Sequence, residues 1–165
     1  MISIKKVDKT AIPIIQELAN ITWHITYREI LSAEQINYML DLFYSEASLK
    51  KQIEHNHQFI VASENNNAVG FASYAPKGKG DTKTYVLHKI YVDPEMHGIG
   101  IGQLLIGHII NDIEILGFTN LQLNVNRNNK SVQFYQKLGF EIIREEDIDI
   151  GNGYFMNDYV MLKKI

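Results

Sequence analysis

Apolar and polar residues alternate over residues 2–7 of this chain, and the longer spacing typical of amphipathic helices then continues to about residue 54. Alternation places successive side chains on opposite faces of a strand, whereas apolar residues three or four apart share one face of a helix. Ser32 with Gln35 has the form of a capping box, and Ser45 is a further helix-capping position. The pattern therefore predicts one strand and then three helices, so that residues 1–56 form a largely helical region.

Strand and helix patterns alternate in the remainder of the chain. Residues 65–67 and 151–153 are turn sequences that predict hairpins, and residues 77–80, which contain only lysine and glycine, predict a mobile loop. This order predicts a single α/β (α+β) domain over residues 1–165, with a mixed, mostly antiparallel sheet of about seven strands and helices on both faces. After residue 56 the predicted strands cover 59–62, 68–74, 84–92, 121–125, 140–148 and 154–162, and the predicted helices end at Gly117 and Gly139.

A glycine-rich turn follows the predicted strand that ends at Val92. Its sequence, His97-Gly98-Ile99-Gly100-Ile101-Gly102, lets the backbone approach a ligand closely, and the helix N-terminus after it favours a phosphate or pyrophosphate. The turn lacks the lysine of a nucleotide-hydrolase phosphate loop, and it lacks the glycine spacing and downstream acidic residue of dinucleotide-binding proteins. It therefore predicts a phosphorylated ligand of another kind.

The turn resembles the acyl-CoA-binding motif of the GNAT superfamily of N-acetyltransferases, which is written Q/R-x-x-G-x-G/A. Residues 128–140 are similar to a second element of that superfamily, N-x-x-A/S-x-x-F-Y-x-x-x-G-F, with Ser131 at the small-residue position. The two motifs follow each other in the family's order, and the resemblance covers roughly residues 60–164. It implies the GNAT fold, acetyl-CoA as co-substrate, and transfer of an acetyl group to a primary amine, with residues 84–140 as the acetyl-CoA-binding core.

The resemblance also implies which residues hold acetyl-CoA. The strand before the turn would pair its backbone with the pantetheine arm, and the N–H groups of the turn would hold the pyrophosphate. His97 stands where the family usually has glutamine or arginine, and an imidazole has a shorter reach and carries charge only below a pKa of about 6.5. The implied cofactor-binding residues are Ile90, Tyr91, Val92, His97, Gly98, Ile99, Gly100, Ile101, Gly102, Gln103, Asn128 and Lys137.

Catalysis requires a proton acceptor for the amine and a proton donor for the departing CoA thiolate, because an alkyl amine with a pKa of about 10.4 is protonated at pH 7. By resemblance the donor is Tyr135, although its helix also offers this side chain a packing role. His88 is the candidate base, because it lies two residues from Ile90 and so on the same predicted strand face. A histidine without a role is the alternative, and Tyr85, Glu29 or a water chain could supply the base instead.

The resemblance places the N-terminal helices and the final hairpin over the acceptor. Tyr27 is the candidate acceptor contact, with a position in the core as the alternative. Acidic residues 145–147, Asp149 and Asp158 could attract a polycationic amine, but we favour a solvated strand face. We expect the acceptor to be an amine of a small molecule or a peptide, and the resemblance also allows a homodimer. The alternative function is a non-catalytic acetyl-CoA- or CoA-binding sensor or interaction module on the same fold.

Composition limits the other classes of function. The formal net charge is −3 and basic residues do not cluster, which predicts no nucleic-acid partner. No apolar run approaches the roughly 20 residues of a membrane span, and the N-terminus lacks a signal sequence, so we expect no membrane partner and a cytoplasmic location. The chain has no cysteine, which excludes disulfides and a thiolate nucleophile. His55 and His57 lack a third ligand, so we expect no metal.

Overall fold

A computed structural model describes all of residues 1–165. Five α-helices and seven strands alternate along the chain, with short 3-10 turns at Lys9–Ala11 and Pro94–Met96. The helices are α1 (Ile12–Tyr27), α2 (Ala33–Tyr44), α3 (Glu46–Glu54), α4 (Ile101–Ile115) and α5 (Ser131–Lys137). The strands are β1 (Ile2–Val7), β2 (Gln58–Glu64), β3 (Asn67–Gly78), β4 (Asp81–Val92), β5 (Asn120–Asn126), β6 (Glu141–Gly151) and β7 (Tyr154–Lys164).

All seven strands form one sheet in the order β1-β2-β3-β4-β5-β7-β6. Only β4 and β5 run parallel, and every other neighbouring pair is antiparallel. A parallel pair needs a long crossover connection, and α4 supplies it between β4 and β5. The predicted fold class is therefore confirmed, with β7 inserted between β5 and β6.

Two apolar cores, one on each face of the sheet, hold the helices in place. On one face α1, α2 and α3 pack against β2 and β3, with Trp23, Leu49, Phe59 and Phe71 in the core. On the other face α4 and α5 cover the centre of the sheet, with Ile109 among the buried residues. Because alternate residues of a strand face opposite sides, neighbours such as Phe59 and Ile60 belong to different cores.

The predicted mobile loop at residues 77–80 is wrong. Strand β3 continues to Gly78 and β4 begins at Asp81, so that only Lys79 and Gly80 form the connection. Their φ angles are +54° and +83°, the signature of a tight two-residue hairpin turn with both residues left-handed. The glycine at position 80 adopts this left-handed backbone without steric cost.

Strands β4 and β5 pair over only part of their length. Residues 84–87 of β4 pair with residues 120–123 of β5 through backbone hydrogen bonds. Beyond Leu87, β4 continues to Val92 and β5 continues to Asn126 without pairing to each other. The sheet therefore opens into a V at its centre, and the two unpaired strand ends form the walls of a cleft.

Candidate active site

The cleft between β4 and β5 has a volume of about 1400 Å³. It extends from the turn before α4, past the N-terminus of α5, to the face of the sheet covered by α1 and α2. Unpaired strand ends leave backbone N–H and C=O groups without partners, and such groups require a ligand or water. The cleft is therefore the place in the fold where an extended polar molecule can complete the sheet.

The glycine-rich turn forms one end of this cleft. Gly98 and Gly100 both have φ of +85°, and a Cβ at either position would point into open space. No N–H group from residue 98 to 103 donates a hydrogen bond within the protein, and the first donor in α4 is Leu104, which bonds Gly100 O at 3.0 Å. A run of free N–H groups at the start of a 15-residue helix fits a phosphate or pyrophosphate. The geometry of the turn is therefore compatible with the pyrophosphate of the predicted co-substrate.

The implied cofactor-binding residues are not all in the cleft. Ile99, Gln103 and Lys137 lie outside its lining, and Lys137 is exposed at the end of α5. Lys130 and Ser131, next to Asn128 at the start of α5, line it although the sequence analysis did not name them as contacts. The implied residues that do line the cleft are Ile90, Tyr91, Val92, His97, Gly98, Gly100, Ile101, Gly102 and Asn128.

His97 ties the turn to the strand before it. Its Nε2 lies 3.1 Å from the carbonyl oxygen of Val92, so Nε2–H is the donor of this bond. The side chain is exposed and lines the cleft. Only Nδ1 of the ring is then free to face a ligand, and in the neutral ring that atom accepts rather than donates.

Tyr135 projects from α5 toward the centre of the cleft. Its side chain is buried with 7% of its surface exposed, and its ring packs edge-to-face on Phe134 and Phe140. The hydroxyl makes no hydrogen bond in the protein, yet it is not sealed from solvent. Burial raises the pKa of Tyr135, with a smaller contribution from Tyr27, so the phenol stays protonated far above neutral pH. It is a proton donor without a partner in the protein.

Tyr27, the predicted acceptor contact, is part of the core and of the cleft wall. It is 8% exposed, its ring centroid lies 4.6 Å from that of Trp23, and its hydroxyl is 3.0 Å from the hydroxyl of Tyr91. The alternative of a core position therefore describes its side chain correctly. Its contact with an acceptor stays a prediction.

His88 occupies a bulge in β4. Ser73 of β3 pairs with Lys89 and Tyr74 pairs with Leu87, so His88 is an extra residue between two consecutive pairs. The prediction that His88 shares a face with Ile90 is wrong, because a bulge breaks the alternation of faces. Ile90 packs against the core under α4, whereas the His88 ring stacks on His57 with centroids 4.3 Å apart.

The imidazole of His88 is exposed to the cleft but crowded by protein on its other sides. Burial, together with the neighbouring His57 and Lys89, lowers the pKa of His88 to about 4. The ring is therefore neutral at pH 7 and has a free lone pair for a proton. Of the other candidate bases, Glu29 lines the cleft and Tyr85 does not.

Asp158 of β7 lies in the cleft, where it was not predicted. A solvated strand face was expected, but Asp158 is only 4% exposed and lines the cleft. Asn124 donates to its Oδ2 at 3.3 Å, and Oδ1 has no partner. Burial raises the pKa of Asp158. The alternation of residues in β7 could have predicted this position. Met156 and Val160 lie two residues before and after Asp158, and both are apolar residues that face inward, so Asp158 faces inward too.

Helix α2 and the β6–β7 hairpin both line the cleft and are bonded to each other. The hydroxyl of Tyr38 donates to the carbonyl of Ile150 at 2.6 Å, and Gln35 Nε2 donates to the carbonyl of Phe155 at 3.0 Å. Gly151 is needed beneath this contact, because a Cβ there would lie 2.7 Å from the Tyr38 hydroxyl. The helix and the hairpin thus form one cover over the cleft.

Comparison with known proteins identifies the family of this chain. The family described as Acetyltransferase (GNAT) matches residues 15–140, which is more than half of the chain. The chain belongs to the GNAT family. An uncharacterized N-acetyltransferase of Mycobacterium tuberculosis is 26% identical over 136 residues, which cover 82% of this chain and 85% of that protein. A peptidyl-lysine N-acetyltransferase of Escherichia coli is 28% identical over 131 residues, with 76% and 74% covered.

A solved relative supports the assignment of the co-substrate to this GNAT chain. The crystal structure of the PaiA N-acetyltransferase from Thermoplasma acidophilum in complex with coenzyme A has a TM-score of 0.84 and 26% identity. The similarity covers 100% of this chain and 99% of that one. The protein is thus an acetyl-CoA-dependent acyltransferase of the N-acetyltransferase class, and the resemblance stated from the sequence is confirmed. None of its helices has the length and apolar character that a bilayer crossing requires.

Proposed function

We propose that this protein transfers the acetyl group of acetyl-CoA to a primary amine of a small molecule or a peptide by direct attack in a ternary complex. The observation that carries the proposal is one continuous cleft that holds the free N–H groups of the turn at one end and Tyr135 further along. A cofactor and an acceptor can occupy such a cleft together. No cysteine exists to carry an acetyl group between two half-reactions.

In this proposal residues 84–140 hold acetyl-CoA, which supplies the activated acetyl group. The backbone of Ile90, Tyr91 and Val92 lies along one wall, and the turn N–H groups hold the pyrophosphate. Asn128 and Lys130 line the opposite wall near the start of α5. Lys137, Ile99 and Gln103 would contribute only from outside the cleft.

Two proton transfers complete the reaction. Tyr135 donates to the departing thiolate, since its phenol has no competing acceptor in the protein. His88 accepts the proton of the amine, because it faces the cleft as a neutral ring. The acceptor enters from the side of residues 1–56, where Tyr27 forms part of the wall.

The test is thiol release from acetyl-CoA with a pooled panel of primary amines, combined with initial-rate kinetics for the amine that reacts. A ternary complex gives intersecting double-reciprocal lines, and mass spectrometry finds no acetylated protein intermediate when the acceptor is omitted. Parallel lines with a covalent acetyl-protein would overturn direct attack. Stabilisation by acetyl-CoA without thiol release for any amine would favour the sensor function instead.

A further inference from the structure

Three basic side chains form a wall at the acceptor side of the cleft, which we call the basic wall: His57, His88 and Lys89. The two imidazole rings stack at 4.3 Å with planes 20° apart. The Lys89 ammonium lies over the rings of Tyr44 and Phe43, with Nζ 4.9 Å and 5.8 Å from their centroids. All three residues line the cleft, so a bound acceptor can reach them.

The bulge at His88 creates this wall. In a regular strand, consecutive residues face opposite sides of the sheet, and His88 and Lys89 would be separated. Here His88 is the extra residue between two β3–β4 pairs, and both side chains turn toward the face covered by α2. His57, just before β2, completes the group on the same face.

The basic wall has no counter-ion. The ion pairs of the protein involve Lys6, Lys50, Arg127 and Arg144, and none involves Lys89. Lys89 also donates no hydrogen bond, although it is partly buried. A buried charge is ordinarily paired, and aromatic faces replace only part of the hydration that an ammonium loses.

The imidazole of His57 also has an unsatisfied hydrogen-bonding group. Nδ1 of His57 is buried and has no hydrogen-bond partner. Burial lowers the pKa of all three groups, that of Lys89 to about 8 and that of His88 to about 4, so Lys89 is the group of the wall that most readily carries a charge. Such a group can offer an anion one ionic contact and additional N–H donors.

We propose that the basic wall binds a carboxylate of the acceptor, so that the substrates of this enzyme are amines that also carry a carboxylate group. The wall contains one ammonium and no guanidinium, which matches a monoanion better than a phosphate dianion. The inference rests on the proposed acetyl transfer, which it extends to a class of acceptor.

The test compares acceptors in matched pairs that differ in one charge. Each pair is an amino carboxylate and its carboxamide, from glycine and glycinamide through leucine and leucinamide to 6-aminohexanoate and 6-aminohexanamide. For the pair whose length fits the cleft, we expect kcat/KM, measured by thiol release, to be at least tenfold higher for the carboxylate than for its carboxamide. In Lys89→Met the preference for the carboxylate should fall below twofold, because the carboxylate loses its ionic partner, and Lys89→Arg should retain most of the preference. Lys83→Met, an exposed lysine of the same strand outside the cleft, is the matched control.

Binding is read separately from turnover, because the proposed acetyl transfer could fail by itself. Thermal unfolding of the protein with acetyl-CoA is measured with each compound of the pairs. Stabilisation by a carboxylate but not by its carboxamide, lost in Lys89→Met, supports the carboxylate site even without thiol release. Equal behaviour of both members of every pair in both assays overturns the proposal. A stronger effect of the matching aminoalkyl phosphonate overturns the assignment to a monoanion.

Discussion

Replacing Tyr135 with phenylalanine removes one oxygen atom, and the structure predicts opposite consequences for stability and for turnover. The hydroxyl has no hydrogen-bond partner in the protein, although the side chain is 7% exposed. Its removal leaves no group unpaired, whereas a buried hydroxyl without a partner costs about 1–3 kcal/mol of desolvation. Since this oxygen is not fully sealed, we expect the free energy of unfolding to stay constant or to rise by up to about 1 kcal/mol.

Turnover should fall steeply in the same variant. A positioned general acid contributes about 10²–10⁴-fold to a rate, which corresponds to about 3–5 kcal/mol of barrier at about 1.4 kcal/mol per tenfold. Because burial raises the pKa of Tyr135 well above its usual value, wild-type activity should also show no loss from phenol ionisation up to pH 10. The Kd for acetyl-CoA should be unchanged, since the ring that lines the cleft is retained.

The assay is single-turnover thiol release at saturating acetyl-CoA and acceptor, run beside thermal unfolding of the same sample. Tyr85→Phe is the matched control, because Tyr85 lies on β4 outside the cleft and its hydroxyl is also unbonded. A rate of Tyr135→Phe within threefold of wild type would refute the role of the phenol as proton donor. A large loss of stability would refute the argument that its hydroxyl has no partner.

Further predictions concern backbone strain and pH. Gly107→Ala, at an open helical position of α4, should raise stability by about 0.5–1 kcal/mol and Tm by about 1–4 °C. Gly100→Ala, at φ +85°, should instead cost about 1–2 kcal/mol, seen as a fall in Tm. The pKa values of His88 and His57 are lowered, to about 4 for His88, so both stay neutral in the fold. Their contribution to stability is therefore full above about pH 6.5 and lost as pH falls toward 4. His88→Gln should flatten the decline of Tm between pH 7 and 4.5, whereas His24→Gln on an exposed part of α1 should not.

Local chemistry made much of the fold predictable. Alternation, capping residues and turn sequences act within a few positions, and the observed elements follow them closely, as at Ser32, whose Oγ accepts from Gln35 N at 3.1 Å. The glycine turn was equally readable, because the left-handed backbone at Gly98 and Gly100 excludes most other residues. These features depend on nearest neighbours along the chain.

The parts of the site that were mispredicted depend on partners far away in sequence. Asp158 is buried because β7 inserts between β5 and β6, an arrangement that joins it to Asn126 and Glu146. The acidic residues around it in β6 gave the opposite impression, since most of that strand is exposed. The order of the strands in the sheet determines the surroundings of Asp158, and the local sequence pattern does not predict that order.

The bulge at His88 shows how one unpaired residue can decide the chemistry of a strand. Without it, His88 and Lys89 would face opposite sides of β4, and the basic wall would be divided between two cores. With it, a neutral imidazole and an ammonium lie side by side in the cleft, where burial and the charges of His57 and Lys89 lower the pKa of His88. An acceptor carboxylate bound there would offset the charge of Lys89 and so raise the pKa of His88. A base that is weak in the free enzyme would then become stronger only when a matching acceptor is bound, so that recognition of the acceptor and activation of its amine depend on the same two residues.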